Sequence, residues 1–99
     1  MKLGIYARAG QIANTPSSIE ITAEYNADRS DILCAGISTT QTVYTATSST
    51  IAAAFSTNEN IYADSSLTTQ ASTGFYTDTI GTTNYQWENG IGWVGEFPC

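Results

Sequence analysis

The sequence predicts an all-β protein, a small antiparallel sandwich or barrel-like domain with a C-terminal hairpin and an extended N-terminal arm. Three observations predict it. About a quarter of the 99 residues are Ser or Thr and only 12% are charged, a composition that suits strands and leaves little Leu, Lys or Glu for long amphipathic helices. The run "SIEITAEY" from Ser18 alternates with period two. The stretch "NYQWENGIGWVG" from Asn84 packs three large aromatics around one Asn-Gly pair, the local signature of a hairpin. A chain of this length is one domain, burying about 60% of the surface its unfolded form exposes, so it has room for one modest core.

The elements follow in order. Residues 1–17 lack periodicity and close on "NTPSS", where Pro16 and the serines mark a turn or linker, so they are expected to form an arm outside the compact body of residues 18–99. From Ser18, Ile19, Ile21, Ala23 and Tyr25 fall on one face of a strand and Glu20, Thr22 and Glu24 on the other. "NADRSD" supplies turn chemistry, because Asn26, Asp28 and Asp31 can bond their own backbone. "ILCAGI" is expected as a short buried strand. "TQTVYTAT" gives a second strand near residues 40–46, β-branched and aromatic around Val43 and Tyr44. "TIAAAF" fits either a strand or one helical turn, and its brevity favours the strand or an irregular edge.

A faint internal echo follows, "IYADS" at Ile61 and "FYTDT" at Phe75. Each unit reads as a strand end that runs into an Asp-led turn. The rival reading is a calcium site on Asp64 and Asp78, but a hard cation wants six to eight oxygens, and two Asp without a Gly-kinked acidic loop are thin support. For the last hairpin, side-chain parity selects a register. A three-residue loop of Glu88, Asn89 and Gly90 pairs Trp87 with Ile91 and Tyr85 with Trp93, which puts all four apolar side chains on one face.

Charge and chemistry narrow the function. The net charge is −6, with Lys2, Arg8 and Arg29 the only cations. Such a surface repels phosphate and releases no counterions on meeting it, so neither nucleic acid nor an anionic membrane is an expected partner. No stretch approaches the roughly 20 apolar residues of a membrane span, and the start "MKLGIYARAG" is too interrupted for a signal-peptide core. The chain is expected to begin where it is translated. With no His, the common general base is missing, and a core of this size can barely form a substrate cleft, so no enzyme activity, catalytic residue or cofactor is expected. Cys34 and Cys99 are too few for a zinc site, so no metal is expected either. They are either a disulfide, adding about 4 kcal/mol by the chain-entropy argument, or two free thiols. Tyr85, Trp87 and Trp93 have two readings as well. They are the inside of the small domain, or they are a stacking platform for sugar rings on a cell-surface or glycan-binding module; such a platform needs exposed indoles and neighbouring polar groups, and only Glu88 and Asn89 lie close in sequence.

The segments "CAGISTTQTVY" from Cys34, "IYADSSLTTQASTGFYTD" from Ile61 and "YQWENGIGW" from Tyr85, with the closing Cys99, resemble a small recurring module. That module occurs in structural proteins of bacteriophages that infect Bacteroidetes, including flavobacterial and crAss-like phages. The resemblance covers about residues 34–99 and rests on aromatic, Asp, Thr-Thr and Gly spacing. It implies a non-enzymatic virion component, a head decoration, head fibre, spike or tail piece, with other virion proteins as partners and the virion as its location. A homo-oligomer, docking through the arm at residues 1–17, and contact with a host surface glycan during attachment are further expectations. The family carries no catalytic residues to transfer.

Overall fold

In the computed structural model, which describes residues 18–99, the alternating run becomes strand β1, Ile19–Asn26. Ile21 and Ala23 are buried while Glu20 and Thr22 are exposed, the two faces that period-two alternation dictates. The predicted arm at residues 1–17 lies outside the described residues.

Four more strands follow: β2 (Thr39–Thr45), β3 (Gly74–Thr77), β4 (Asn84–Glu88) and β5 (Gly92–Phe97). All pair antiparallel in one sheet of order β2-β1-β3-β4-β5, so the all-β expectation holds. Among the described residues there is one sheet and no second sheet facing it. Beyond β2 the sheet continues only through single bridges, Tyr44 to Tyr62 and Tyr62 to Gln70. Gln70 in turn accepts from the β4-β5 turn, since the Gly90 amide donates to its Oε1 at 2.6 Å and the Asn89 amide group to its carbonyl at 3.1 Å. The segment 61–73 therefore runs from the β2 edge to the β4-β5 turn.

Two segments form short helices, one expected as a strand and one read as either a strand or a helical turn with the strand favoured. "ILCAGI" contributes to α1 (Ser30–Cys34). Ahead of it, the Asn26 side chain accepts from the amides of Asp28 and Arg29 and turns the chain sharply. Behind it, Gly36 at φ +90° closes the helix in the left-handed conformation that a side chain disfavours. "TIAAAF" contributes to α2 (Ile51–Ser56). Thr50 caps α2 by accepting from the Ala53 amide, and the Asp78 carboxylate accepts from Ile51 at 2.7 Å and Ala52 at 3.1 Å. Two of those three bonds arrive from 26 and 27 residues away, which local periodicity cannot reveal.

The main core lies on one face of the sheet, the inner face. Ile21, Ala23, Val43, Tyr76 and Trp87 from the strands meet Ile51 and Ala54 of α2 and Ile61 and Ala71 of the bridging segment. Tyr25, Tyr85 and Trp93 pack against its margin. Gly74 is needed here, because a Cβ at that position would sit 2.4 Å from the Tyr25 ring, whose hydroxyl donates to the Thr73 carbonyl at 2.6 Å. The opposite, outer face is covered at one end by α1, with Leu33 buried, and by the C-terminal tail.

Candidate functional site

The aromatic hairpin is the first candidate. Its register differs from the expected one: Glu88 pairs with Gly92 and Trp87 with Trp93, so the three loop residues are Asn89, Gly90 and Ile91. The loop keeps its length and shifts by one residue. Gly90 at φ +86° and Gly92 at φ +121° supply two left-handed positions where the expected loop required one. A bulge opposite Gln86 and Trp87 then absorbs Val94 and restores pairing of Tyr85 with Glu96. The correction releases Ile91 to solvent at 75% exposure but keeps Tyr85, Trp87 and Trp93 on the inner face.

These rings are committed to the protein's own framework. Trp87 is fully buried, and its indole N–H donates to the Ala71 carbonyl at 3.0 Å. Trp93 is half-buried, stacks edge-on to Trp87 at a centroid distance of 5.1 Å, and donates to the Glu59 carbonyl at 2.7 Å. Tyr85 is half-buried and packs on Phe55 of α2 at 4.7 Å. Burial, with Glu96 and Asp78 nearby, raises the Tyr85 hydroxyl pKa above its ordinary value. Burial raises that of Tyr76 strongly, Tyr25 adding to the effect. Of the three residues weighed as a platform, Trp87 offers no face to a ligand.

The two Asp residues of the internal echo are also occupied. Asp64 accepts from the hydroxyl of Thr68, the amides of Thr69 and Thr68, and the hydroxyl of Ser66, which together lower its pKa to about 2. This is the Asx-type turn that the sequence suggested. Asp78 caps α2 instead. Among the described residues no group of three or more His, Cys, Asp or Glu is placed to hold a metal ion. Glu59, unremarked in the sequence, pins the turn after β2. Burial alone would raise its carboxyl pKa, but bonds from the Ser48 hydroxyl and from the Thr47 amide and hydroxyl outweigh that and lower it.

The second candidate lies on the outer face. Cys34 and Cys99 are joined as a disulfide, 65 residues apart in sequence with Cα atoms 5.7 Å apart. The bridge fastens the C-terminal tail to α1 over the buried side chain of Asn84, whose Nδ2 lies 3.4 Å from Cys34 Sγ. Beside it opens a groove of about 620 Å³. Phe75, Phe97 and Pro98 line it, the two rings edge-on at 5.6 Å, and Asp28, Arg29 and Asp31 stand at its margin. Arg29 is paired with Asp31 by two hydrogen bonds. Asp28 also borders a smaller hollow of about 240 Å³ lined by Ile37 and Tyr25. The groove was not foreseen, but a signal for it existed: once Cys34 and Cys99 are bridged, Asp31 and the residues Phe97 and Pro98 become neighbours.

Among the described residues no helix is long and apolar enough to cross a membrane. No protein-family model, no curated protein and no solved structure matches this chain.

Proposed function

We propose that the protein is a non-enzymatic structural component of a bacteriophage particle, a β-module that decorates or extends the virion and attaches through its N-terminal arm, residues 1–17. The observation that supports this best is how the aromatic side chains are used. Both indole N–H groups bond to backbone carbonyls of the segment 59–71, and the rings fill the space between that segment and the sheet. The side chains best suited to grip a ligand thus hold the scaffold together, as a module built to be carried and fastened requires.

Two further features fit. The segments that resemble the phage module fall within the described body, where they supply most of β2, all of β3, most of β4 and the bridging segment. A disulfide at the C-terminus suits a protein that assembles in a reducing cell and works in an oxidising medium after lysis. Deleting residues 1–15 is expected to leave a soluble, folded body that no longer enters particles. Normal incorporation of the truncated chain would overturn the proposal.

A further inference from the structure

The charges of this chain are segregated. All nine carboxylates lie within residues 18–99, against one cation, Arg29, a net charge of −8 for the body. Arg29 is spent on Asp31. The arm holds no carboxylate and the other two cations, Lys2 and Arg8, a net of +2. Between them stand Leu3 and Ile5, so residues 2–8 set apolar side chains among basic ones.

The body carries a surface of matching chemistry. The groove beside the disulfide is lined by Phe75, Phe97 and Pro98 together with Asp28, Asp31 and Arg29, and since Arg29 is paired with Asp31 the net negative charge there is that of Asp28. Phe97 is 37% exposed and Ile37, in the adjoining hollow, 65% exposed, so large apolar side chains stand in solvent on both sides of Asp28. A net negative charge beside an apolar floor favours a basic, apolar segment over an acidic one.

We infer that this groove receives the N-terminal segment, residues 2–8, of a second copy of the chain. The inference rests on the reading that the arm docks on a partner, and it names the partner. A second copy is favoured over the chain's own arm because the arm joins the body at Ser18, whereas the groove lies beside Asp28, past the other end of β1. Eight residues of strand put roughly 26 Å between them. A head-to-tail contact between copies uses that separation directly, while self-occupancy requires the arm to double back along the whole strand. Such a contact is heterologous, so it closes into a ring or propagates as a string of modules.

Sedimentation velocity on the full chain at low and high salt tests this, because a contact of this kind is screened by salt. The wild-type chain is expected to self-associate at low salt and to dissociate as salt rises. Reversing the arm charges with Lys2→Glu and Arg8→Glu is expected to weaken association roughly tenfold or more. Asp28→Lys is expected to weaken it in the same direction, and mixing the arm variant with the Asp28→Lys variant is expected to restore mixed oligomers. Circular dichroism of each variant keeps a folding defect from passing as lost binding. A wild-type chain that stays monomeric at every concentration, or an oligomer untouched by the arm reversal, overturns the inference. Neither result decides whether the arm enters particles, which the deletion experiment reads separately.

Discussion

The two faces of the sheet are held by different physics. The inner face is packed: Trp87, Tyr76, Ile51 and Ile61 are each fully buried, and their cohesion comes from apolar area removed from water. The outer face has one buried leucine, one short helix and a covalent bond, and it leaves a groove open beside them. A 99-residue chain has material for one core, so its second face is tied down by a staple that needs little volume. The two faces also differ in what they leave exposed: on the inner face Trp87 is fully buried while Trp93 and Tyr85 are half-buried, and on the outer face Phe97 stands partly in solvent.

The sharpest way to break the comparison is to remove the centre of each face in turn. Trp87→Ala is expected to cost about 3–5 kcal/mol, since it empties the largest fully buried side chain and removes one of the two hydrogen bonds to the Ala71 carbonyl. Chemical denaturation followed by circular dichroism reads it directly. The Cys34→Ser and Cys99→Ser pair is expected to cost about 4 kcal/mol through the freed 65-residue loop. The two substitutions should differ in kind. Loss of Trp87 should loosen the inner core, while loss of the disulfide should free the C-terminal tail and α1 and leave Trp87 protected, which amide hydrogen exchange resolves.

Smaller changes sharpen the picture. Gly74→Ala forces a Cβ onto the Tyr25 ring and is expected to cost about 1–3 kcal/mol. Asp78→Ala removes the two hydrogen bonds that begin α2 and is expected to cost about 1–2 kcal/mol, with α2 fraying before the sheet. The pH dependence is the mildest effect. Asp64 and Glu59 have lowered pKa values when folded, so their stabilisation is complete above the ordinary carboxylate range. It is lost as pH falls through the folded values, which for Asp64 is about 2. Asp64→Asn should flatten that acid limb. At the alkaline end the sign reverses: Tyr76 and Tyr85 stay neutral in the fold, so stability should decline as pH rises past the ordinary tyrosine value of 10.0.

Much of this was legible in the sequence, for identifiable reasons. Strand β1 announced itself because one of its faces is buried and the other wet, so its alternation is strict. The β4-β5 hairpin was legible from Asn-Gly and its flanking aromatics, but its loop lies one residue further on, so Trp87 faces Trp93 and not Ile91; a shift of two in pairing preserves side-chain parity, which parity counting cannot detect, and the bulge at Val94 then breaks the regular ladder it assumed. The two helices were missed for a common reason. Each is at most six residues long, too short to display a helical period, and α2 is fixed by Asp78 from a distant turn. The groove was illegible until the disulfide was placed, since its lining comes from three segments that only the fold brings together.

The claim beneath all of this is that the tryptophans belong to the inner core and that recognition belongs to the outer face. Tryptophan emission of the intact chain, titrated with acrylamide and then with host surface polysaccharide, tests it most directly. The account predicts blue-shifted emission, poorly quenched and unmoved by the polysaccharide. Red-shifted emission that acrylamide quenches freely and that the polysaccharide shifts would contradict it.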